Sequence, residues 1–335
     1  MKLEEIARLA GVSKSTVSSV LNGKAEKYRI SLETQERVRK IAAKYQYQPN
    51  FSAASLRRGI SHSIGFVVPD FENRSYMRIA KRLEAVVRNA GYQLIISSSD
   101  DYPDTEREAA KLLAARGVDA LLVSSCLDGD DPVYQQIRDR GIPVIAIDRP
   151  LAEHYSQVVS DDYQGGYELG RSLSVKNDSS VLLIGALSSL LVSQRRHQGF
   201  VDAMASMHIE DCTALHGDHF NASTGISLLK DYVAKRGSLP DAIVTTSYSL
   251  LEGVIETLMS WPEGKPLSAE GGIQLATFGN SRLLDFLPLA VNSLPQQYEQ
   301  IAEAAWTLAK EAIDGTTTPR QVMISRKLTR RQHTA

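Results

Sequence analysis

The chain has 335 residues, with 38 Lys/Arg against 39 Asp/Glu, a formal net charge of −1, 43% hydrophobic and 23% charged residues. That length suits about two or three domains, and no apolar run approaches the ~20 residues of a membrane helix. The two cysteines, Cys126 and Cys212, fit neither a disulfide framework nor a metal site, and the start MKLEEIARLAG lacks the basic and apolar segments of a secretory signal. Both features lead to the expectation of a reducing, cytoplasmic location.

The near-neutral total hides an asymmetry. Residues 1–60 carry twelve Lys/Arg against five Asp/Glu, whereas the rest carries 26 against 34. A small basic module on an acidic body is suited to meeting a polyanion.

Leu3, Ile6, Ala7 and Ala10 recur at helical spacing, so residues 3–10 read as an amphipathic helix stopped by Gly11. Ser13 then stands at an N-cap position ahead of Val17, Val20 and Leu21, and Asn22-Gly23 ends that second helix. Ser31 caps a third helix with Val38, Ile41 and Ala42 as its stripe. Two short helices across a turn containing glycine form the helix-turn-helix pattern. The start of the second helix enters the major groove in that motif, and Lys14, Ser15, Ser18 and Ser19 are its exposed positions here. No Arg or Gln on this face offers bidentate base readout.

In residues 45–58, YQYQPNFSAASLRR, Pro49 disfavours helix at Gln48 and Asn50 is able to cap a new one. Ala53 and Leu56 share a face at i, i+3. So short a helix is unstable alone and needs a partner helix or DNA.

From Ser63 onward apolar strands alternate with helices. One set of strands is expected at 63–69, 93–99, 119–125 and 143–148, and a second at 157–160, 180–186, 241–246 and 273–278. Helices are expected between them, including 75–90, 103–116, 163–174, 194–206, 222–235 and 295–313. Continuous apolar strands separated by helices predict parallel sheets covered on both faces, here two doubly wound lobes. Ligands bind beyond the C-terminal strand ends of such sheets, which present Asp70 with Asn73, Asp100, Ser124, Asp148 with Arg149, Asp161, Thr246 with Ser247, and Gly279 with Asn280. This polar ring suits a polyol. Arg149 and Arg196 would supply planar, multidentate donors to an anionic sugar phosphate, and Asn280, where a carboxylate is an alternative, lessens repulsion of the phosphate.

The wording of the first sixty residues is more specific than their pattern. Ile6-Ala7-Arg8-Leu9-Ala10-Gly11-Val12-Ser13, Thr16-Val17-Ser18 and Val20-Leu21-Asn22 closely resemble the headpiece signature of the LacI/GalR family. The loop Gly23–Ser31 looks like that of fructose and sucrose repressors. Arg196-His197-Gln198-Gly199-Phe200 matches the family's Arg-x-x-Gly-aromatic element, whose Arg binds the sugar. Asp148-Arg149, Leu284–Pro288 and Asn292–Gln297 are similar to the fructose-repressor branch. Ser247-Tyr248 replaces the Asn-Asp of most members, a change that branch shares, whereas Asn280 stands where the branch generally has Asp.

The resemblance covers nearly the whole chain. It implies an all-α helix-turn-helix headpiece and hinge helix, then an α/β core of two doubly wound parallel-sheet lobes of the periplasmic-binding-protein kind. The expected boundaries are 1–46 for the headpiece and 47–60 for hinge helix and linker. The N-terminal lobe is expected over 61–162 plus 292–318, and the C-terminal lobe over 163–291 plus 319–335. The hinge helix would pair across a dimer and wedge Leu56 into the minor groove, with Arg57 and Arg58 reaching phosphates. The candidate DNA-contacting residues are Ser13, Lys14, Ser15, Thr16, Ser18, Ser19, Asn22, Tyr28, Arg29, Asn50, Ala53, Leu56 and Arg57. The candidate effector residues are Asp70, Asn73, Asp148, Arg149, Arg196, Ser247 and Asn280.

The function expected is a repressor, or repressor and activator, that leaves operator DNA on binding a fructose phosphate, with fructose 1-phosphate ahead of fructose 1,6-bisphosphate. A sucrose- or fructose-responsive repressor of the same family is the alternative. A sugar-transport protein is disfavoured by the headpiece. An enzyme is disfavoured because no phosphate-binding loop, dinucleotide turn, nucleophile elbow or HExxH helix appears. No cofactor, metal or membrane is expected. The chain is expected to associate with itself, as a dimer at least. Its tail MISRKLTRRQHTA has no leucine heptads of the kind that build a tetramer, other routes to a tetramer stay open, and a homodimer or a tetramer is expected.

Overall fold

The computed structural model describes residues 2–21, 23–47, 60–261 and 272–331. They fall into two compact units, Met1–Ser61 and His62–Ala335. The hinge segment and its candidates Asn50, Ala53, Leu56 and Arg57, like Asn22, lie outside the described residues.

Among its described residues the first unit holds three helices, α1 (Leu3–Ala10), α2 (Lys14–Leu21) and α3 (Leu32–Lys44). Gly11 closes α1 in the left-handed region at φ 63°, which a residue with a Cβ adopts only with strain. Ser13 Oγ accepts the Thr16 amide at 3.1 Å and Ser31 accepts the Thr34 amide, so both expected caps form. The helices bury Ile6, Ala10, Val17, Val20, Val38 and Ala42 against one another.

The second unit contains eleven parallel strands among its described residues. The first sheet comprises β1 (Ser63–Val68), β2 (Gln93–Ser98), β3 (Ala120–Val123), β4 (Val144–Asp148), β5 (Ser156–Ser160) and β11 (Gln321–Ile324), in the order β11-β5-β4-β3-β1-β2. The second comprises β6 (Val181–Ala186), β7 (Cys212–Gly217), β8 (Ala242–Thr245), β9 (Gln274–Phe278) and β10 (Val291–Leu294), in the order β10-β9-β8-β6-β7. In the first sheet, Ile64, Phe66 and Val68 face α4 (Arg74–Asn89) and α11 (Tyr298–Ile313). Val67 and Leu121 face α5 (Pro103–Ala115) and α6 (Pro132–Asp139) on the other side. In the second, Leu182 and Ile184 pack on α9 (Ala222–Arg236) and α10 (Tyr248–Met259). Leu183 packs on α7 (Asp162–Arg171) and α8 (Leu191–Ser206). Alternate side chains thus serve opposite helical layers, the arrangement of a doubly wound lobe.

Three details correct the sequence reading. Residues 157–160, grouped there with the second set of strands, form β5 beside β4 in the first sheet. A helix-free loop joins β4 to β5, so the strand–helix alternation gives no cue to their neighbourhood. Residues 319–335 are expected in the C-terminal lobe, yet β11 is the outer strand of the first sheet, beside β5. Residues 292–318 were assigned to the N-terminal lobe, yet β10 forms the edge of the second sheet and only α11 returns to the first. Short edge strands with polar or half-exposed residues carry no apolar run by which to recognise them. After β11 the chain comes back to the second lobe, where Thr329 bridges Ser293. No helix among the described residues is long and apolar enough to cross a membrane.

Candidate functional site

The C-terminal ends of both sheets surround one polar cleft. Its lining includes Asn73, Asp148, Arg149, Arg196 and Ser247 of the expected set, together with Thr246 and Gly279 of the wider ring. Asp70 and Asn280 are not in it. The Asp70 carboxylate accepts the Glu72 amide at 2.7 Å and borders a neighbouring space with Asp100 and Tyr102. Asn280 turns toward the chain end, its amide oxygen accepting from Ser293 Oγ at 3.2 Å and Arg331 Nη2 at 3.0 Å. Its expected easing of phosphate repulsion therefore has no footing in this arrangement.

Local backbone geometry places the charged groups. At the end of β4, Asp148 has φ 68° and the Arg149 amide donates to the Ile147 carbonyl at 2.8 Å. This is a tight positive-φ turn, a conformation that costs energy and collects at functional sites. It sends two successive side chains to different partners. Asp148 Oδ2 accepts the Tyr76 hydroxyl at 2.8 Å, and Oδ1 accepts the Gln296 amide. Arg149 makes a fork with Asp101, which follows β2 at φ 58°. The guanidinium lies 5.9 Å from the ring centroids of both Tyr76 and Phe220.

Deeper in the cleft, Asp162 at the start of α7 accepts Arg196 Nε at 2.7 Å and Arg326 Nη2 at 2.9 Å. Arg196 Nη1 also donates to the Thr246 carbonyl at 3.0 Å, and Phe278 lies beneath both guanidiniums at 4.6 and 5.2 Å. Burial opposes the charge on Arg149 and Arg196. Nearby Tyr76, Asp101 and Asp148 outweigh it for Arg149, and Asp162 with Asp148 does so for Arg196, so both stay charged. Burial raises the Tyr76 phenol, keeping it a donor toward Asp148.

Three arginines and three carboxylates, Asp101, Asp148 and Asp162, thus share the site. Not every polar atom is used. Arg149 Nε, Arg326 Nε, Thr246 Oγ1 and Gln296 Oε1 are buried without a hydrogen-bond partner, and all four residues line the cleft. Buried polar atoms are nearly always paired, so four such atoms in one place point to a ligand or bound water. The enclosed space is about 40 Å³, room for a water or two and too little for a hexose phosphate. A larger cavity of about 580 Å³ shares Arg149 and Val192 with it. Entry of a sugar therefore requires the lobes to part or side chains to move.

Several of these residues escaped the sequence reading, and three follow strands that it missed. Phe220 comes after β7, Gln296 after β10 and Arg326 after β11. Asp101 and Asp162 each lie one residue beyond an acid in the expected ring.

On the headpiece, Lys14 and Ser15 are exposed, Thr16, Ser18 and Ser19 are partly exposed, and Tyr28 and Arg29 stand outward on the following loop. Lys14 Nζ pairs with Glu4 Oε1 of α1 at 2.5 Å.

His216 of β7 stacks on His197 of α8, their centroids 5.1 Å apart. Burial, and then the neighbouring imidazole, push His216 below its ordinary value of 6.5. The unfolded chain therefore binds the proton first, so this contribution to stability is present above about 6.5 and is lost as pH falls from there through the lower folded-state value. Thermal midpoints measured from pH 7 to 5 should fall, and His216→Gln should flatten the decline. An equally steep decline in the variant would remove His216 as its source.

The model for periplasmic binding proteins and sugar binding domains of the LacI family matches residues 61–332, and that for bacterial regulatory proteins of the lacI family matches residues 2–50. The fructose operon regulatory protein of Vibrio cholerae is 47% identical over 313 residues, 93% of this chain and 94% of that protein. The catabolite repressor/activator of Escherichia coli K12 is 39% identical over 334 residues, 99% of this chain and 98% of that one. The crystal structure of the Cra transcriptional dual regulator from Pseudomonas putida in complex with fructose 1-phosphate superposes with a TM-score of 0.75 at 43% identity, covering 82% of this chain and 99% of that one. A helix-turn-helix headpiece and a two-lobed sugar-binding core are thus matched along nearly the full length, and the chain belongs to the LacI family of DNA-binding transcription regulators, which are not enzymes.

Proposed function

We propose that this regulator is a cytoplasmic homodimer whose effector is a fructose phosphate, fructose 1-phosphate ahead of fructose 1,6-bisphosphate, bound between the lobes. The observation that carries the reading is the set of unpartnered buried atoms. Two guanidinium Nε donors suit phosphate oxygens, while a hydroxyl and an amide oxygen suit sugar hydroxyls. The Pseudomonas putida relative, crystallised with fructose 1-phosphate, supports the same ligand class. Asn73, Asp148, Arg149, Arg196 and Ser247, joined by Gln296 and Arg326, are the contacts in this reading.

The ligand needs more room than the cleft offers, and in this reading the lobes part to admit it, so it binds two lobe arrangements unequally. That inequality is what allows it to shift a conformational equilibrium. In the proposed switch, effector binding separates the hinge segments over 45–58, and operator DNA is released. DNA contact is made by Ser13, Lys14, Ser15, Thr16, Ser18, Ser19, Asn22, Tyr28 and Arg29, with Asn50, Ala53, Leu56 and Arg57 of the hinge. Dimerisation supplies each short hinge helix with a mate. Calorimetric titration of the full chain with fructose 1-phosphate, fructose 1,6-bisphosphate, fructose and sucrose tests the ligand. The expected order is the monophosphate first, the bisphosphate second, and the neutral sugars at least about 100-fold weaker, as the loss of charge-paired contacts implies. Tighter binding of fructose or sucrose overturns the phosphate reading and favours the sucrose-type alternative.

A further inference from the structure

Lys14 is the sole charged residue of α2, whose sequence is KSTVSSVL. It opens the helix whose N-terminal residues enter the major groove in this motif. Yet its ammonium group is paired with Glu4 at 2.5 Å, and both side chains are more than half exposed. The pairing spans ten residues and joins α1 to α2, so helical spacing alone does not produce it. Lys14 also holds the Glu4 carboxyl below its ordinary range.

The pairing has a consequence for DNA search. Ser15, Ser18 and Ser19 are neutral, so the face of α2 carries no net charge while Glu4 holds Lys14. Non-specific affinity comes almost wholly from cations that neutralise phosphates and release counterions. A lysine already satisfied by a carboxylate contributes little of this. At a matched base pair guanine N7 and O6 hold the ammonium through directed bonds, a fixed geometry that backbone phosphates do not offer, so the operator draws Lys14 from Glu4 more fully than random DNA does. We propose that Glu4 is a specificity-determining residue of the headpiece, which withholds Lys14 from random DNA and yields it to the operator. The proposal rests on the reading that Lys14 contacts DNA.

The test uses the full chain and two fluorescent duplexes, an operator selected from random DNA by the protein itself and a scrambled duplex of equal length. Affinities are measured across salt concentrations for the wild type, Glu4→Gln, Lys14→Gln and the double variant. Glu4→Gln is expected to tighten binding to the scrambled duplex by about 2- to 5-fold at low salt, the scale of one exposed ion pair. It is also expected to steepen the salt dependence by about 0.9, the value for one additional phosphate contact. Operator affinity should gain less, so the ratio of operator to scrambled affinity falls. The double variant should show neither the tightening nor the steeper slope. An unchanged ratio and slope in Glu4→Gln, alongside weakened operator binding in Lys14→Gln, overturns the proposal while leaving Lys14 as a DNA contact. Unchanged operator binding in Lys14→Gln overturns both. Equal thermal midpoints for wild type and Glu4→Gln separate the effect from a loss of fold.

Discussion

Arg196→Ala is expected to keep operator affinity and to lose the response to fructose 1-phosphate. Arg196 bonds Asp162 and the Thr246 carbonyl inside the cleft and rests on Phe278. Losing one partner of a desolvated charge-paired contact, here the guanidinium that faces the effector, costs about 2–5 kcal/mol of binding, so effector affinity should fall by roughly 30-fold or more. Arg326 still pairs with Asp162 in the variant, which limits the damage to the lobe itself. Arg196→Lys should recover only part of the affinity, because an ammonium cannot reproduce a planar fork. Titration of each variant with effector, read by calorimetry and by release from DNA, gives both numbers. Release from DNA at the wild-type effector concentration in Arg196→Ala would show that the phosphate lies elsewhere.

Gly199→Ala is expected to destabilise the protein strongly. A Cβ built at Gly199 falls 2.0 Å from the Tyr163 carbonyl oxygen and 2.9 Å from the Tyr167 amide, and one at Gly166 falls 2.2 Å from the Arg196 carbonyl oxygen. The helices α7 and α8 therefore cross backbone to backbone through these two glycines. No flexible side chain stands in the way to yield, so the helices must separate. Overpacking of this kind costs about 3 kcal/mol, or roughly 6–12 °C in thermal midpoint for a body of this size. Arg196 is on α8 and Asp162 on α7, so parting these helices also misaligns the pair, and effector affinity should decline in the molecules that remain folded. A midpoint within about 2 °C of the wild type would contradict this packing account.

Gly199 shows what was legible in advance. The Arg-x-x-Gly-aromatic element marked Arg196 and Gly199 together, and the structure gives the spacing a physical reason. The glycine admits the α7 backbone and so sets the guanidinium against Asp162. The headpiece was equally open to reading, because its caps Ser13 and Ser31 and its stop Gly11 are local features that need no tertiary context. The cleft was legible only in part. Asp148, Arg149 and Thr246 follow strands with long apolar runs. Phe220, Gln296 and Arg326 follow β7, β10 and β11, whose residues are only partly apolar or partly buried. Edge strands are covered less than central ones and have less need of the apolar signature that betrays a strand. Asn280 stands apart from the cleft for a related reason. Its strand, β9, was recognised, but its side chain is drawn away from the cleft by Arg331 and Ser293, partners distant in sequence.

Coupling between the two sites is the heart of the account, and one titration measures it directly. The full-length protein is bound to a fluorescent operator duplex at fixed salt, and fructose 1-phosphate is added to the wild type and to Arg149→Ala. The account predicts release of the wild type at low effector concentration, with fructose inert, and retention of the variant on DNA throughout. Wild-type protein that binds fructose 1-phosphate in solution yet remains on the operator at saturation would contradict it.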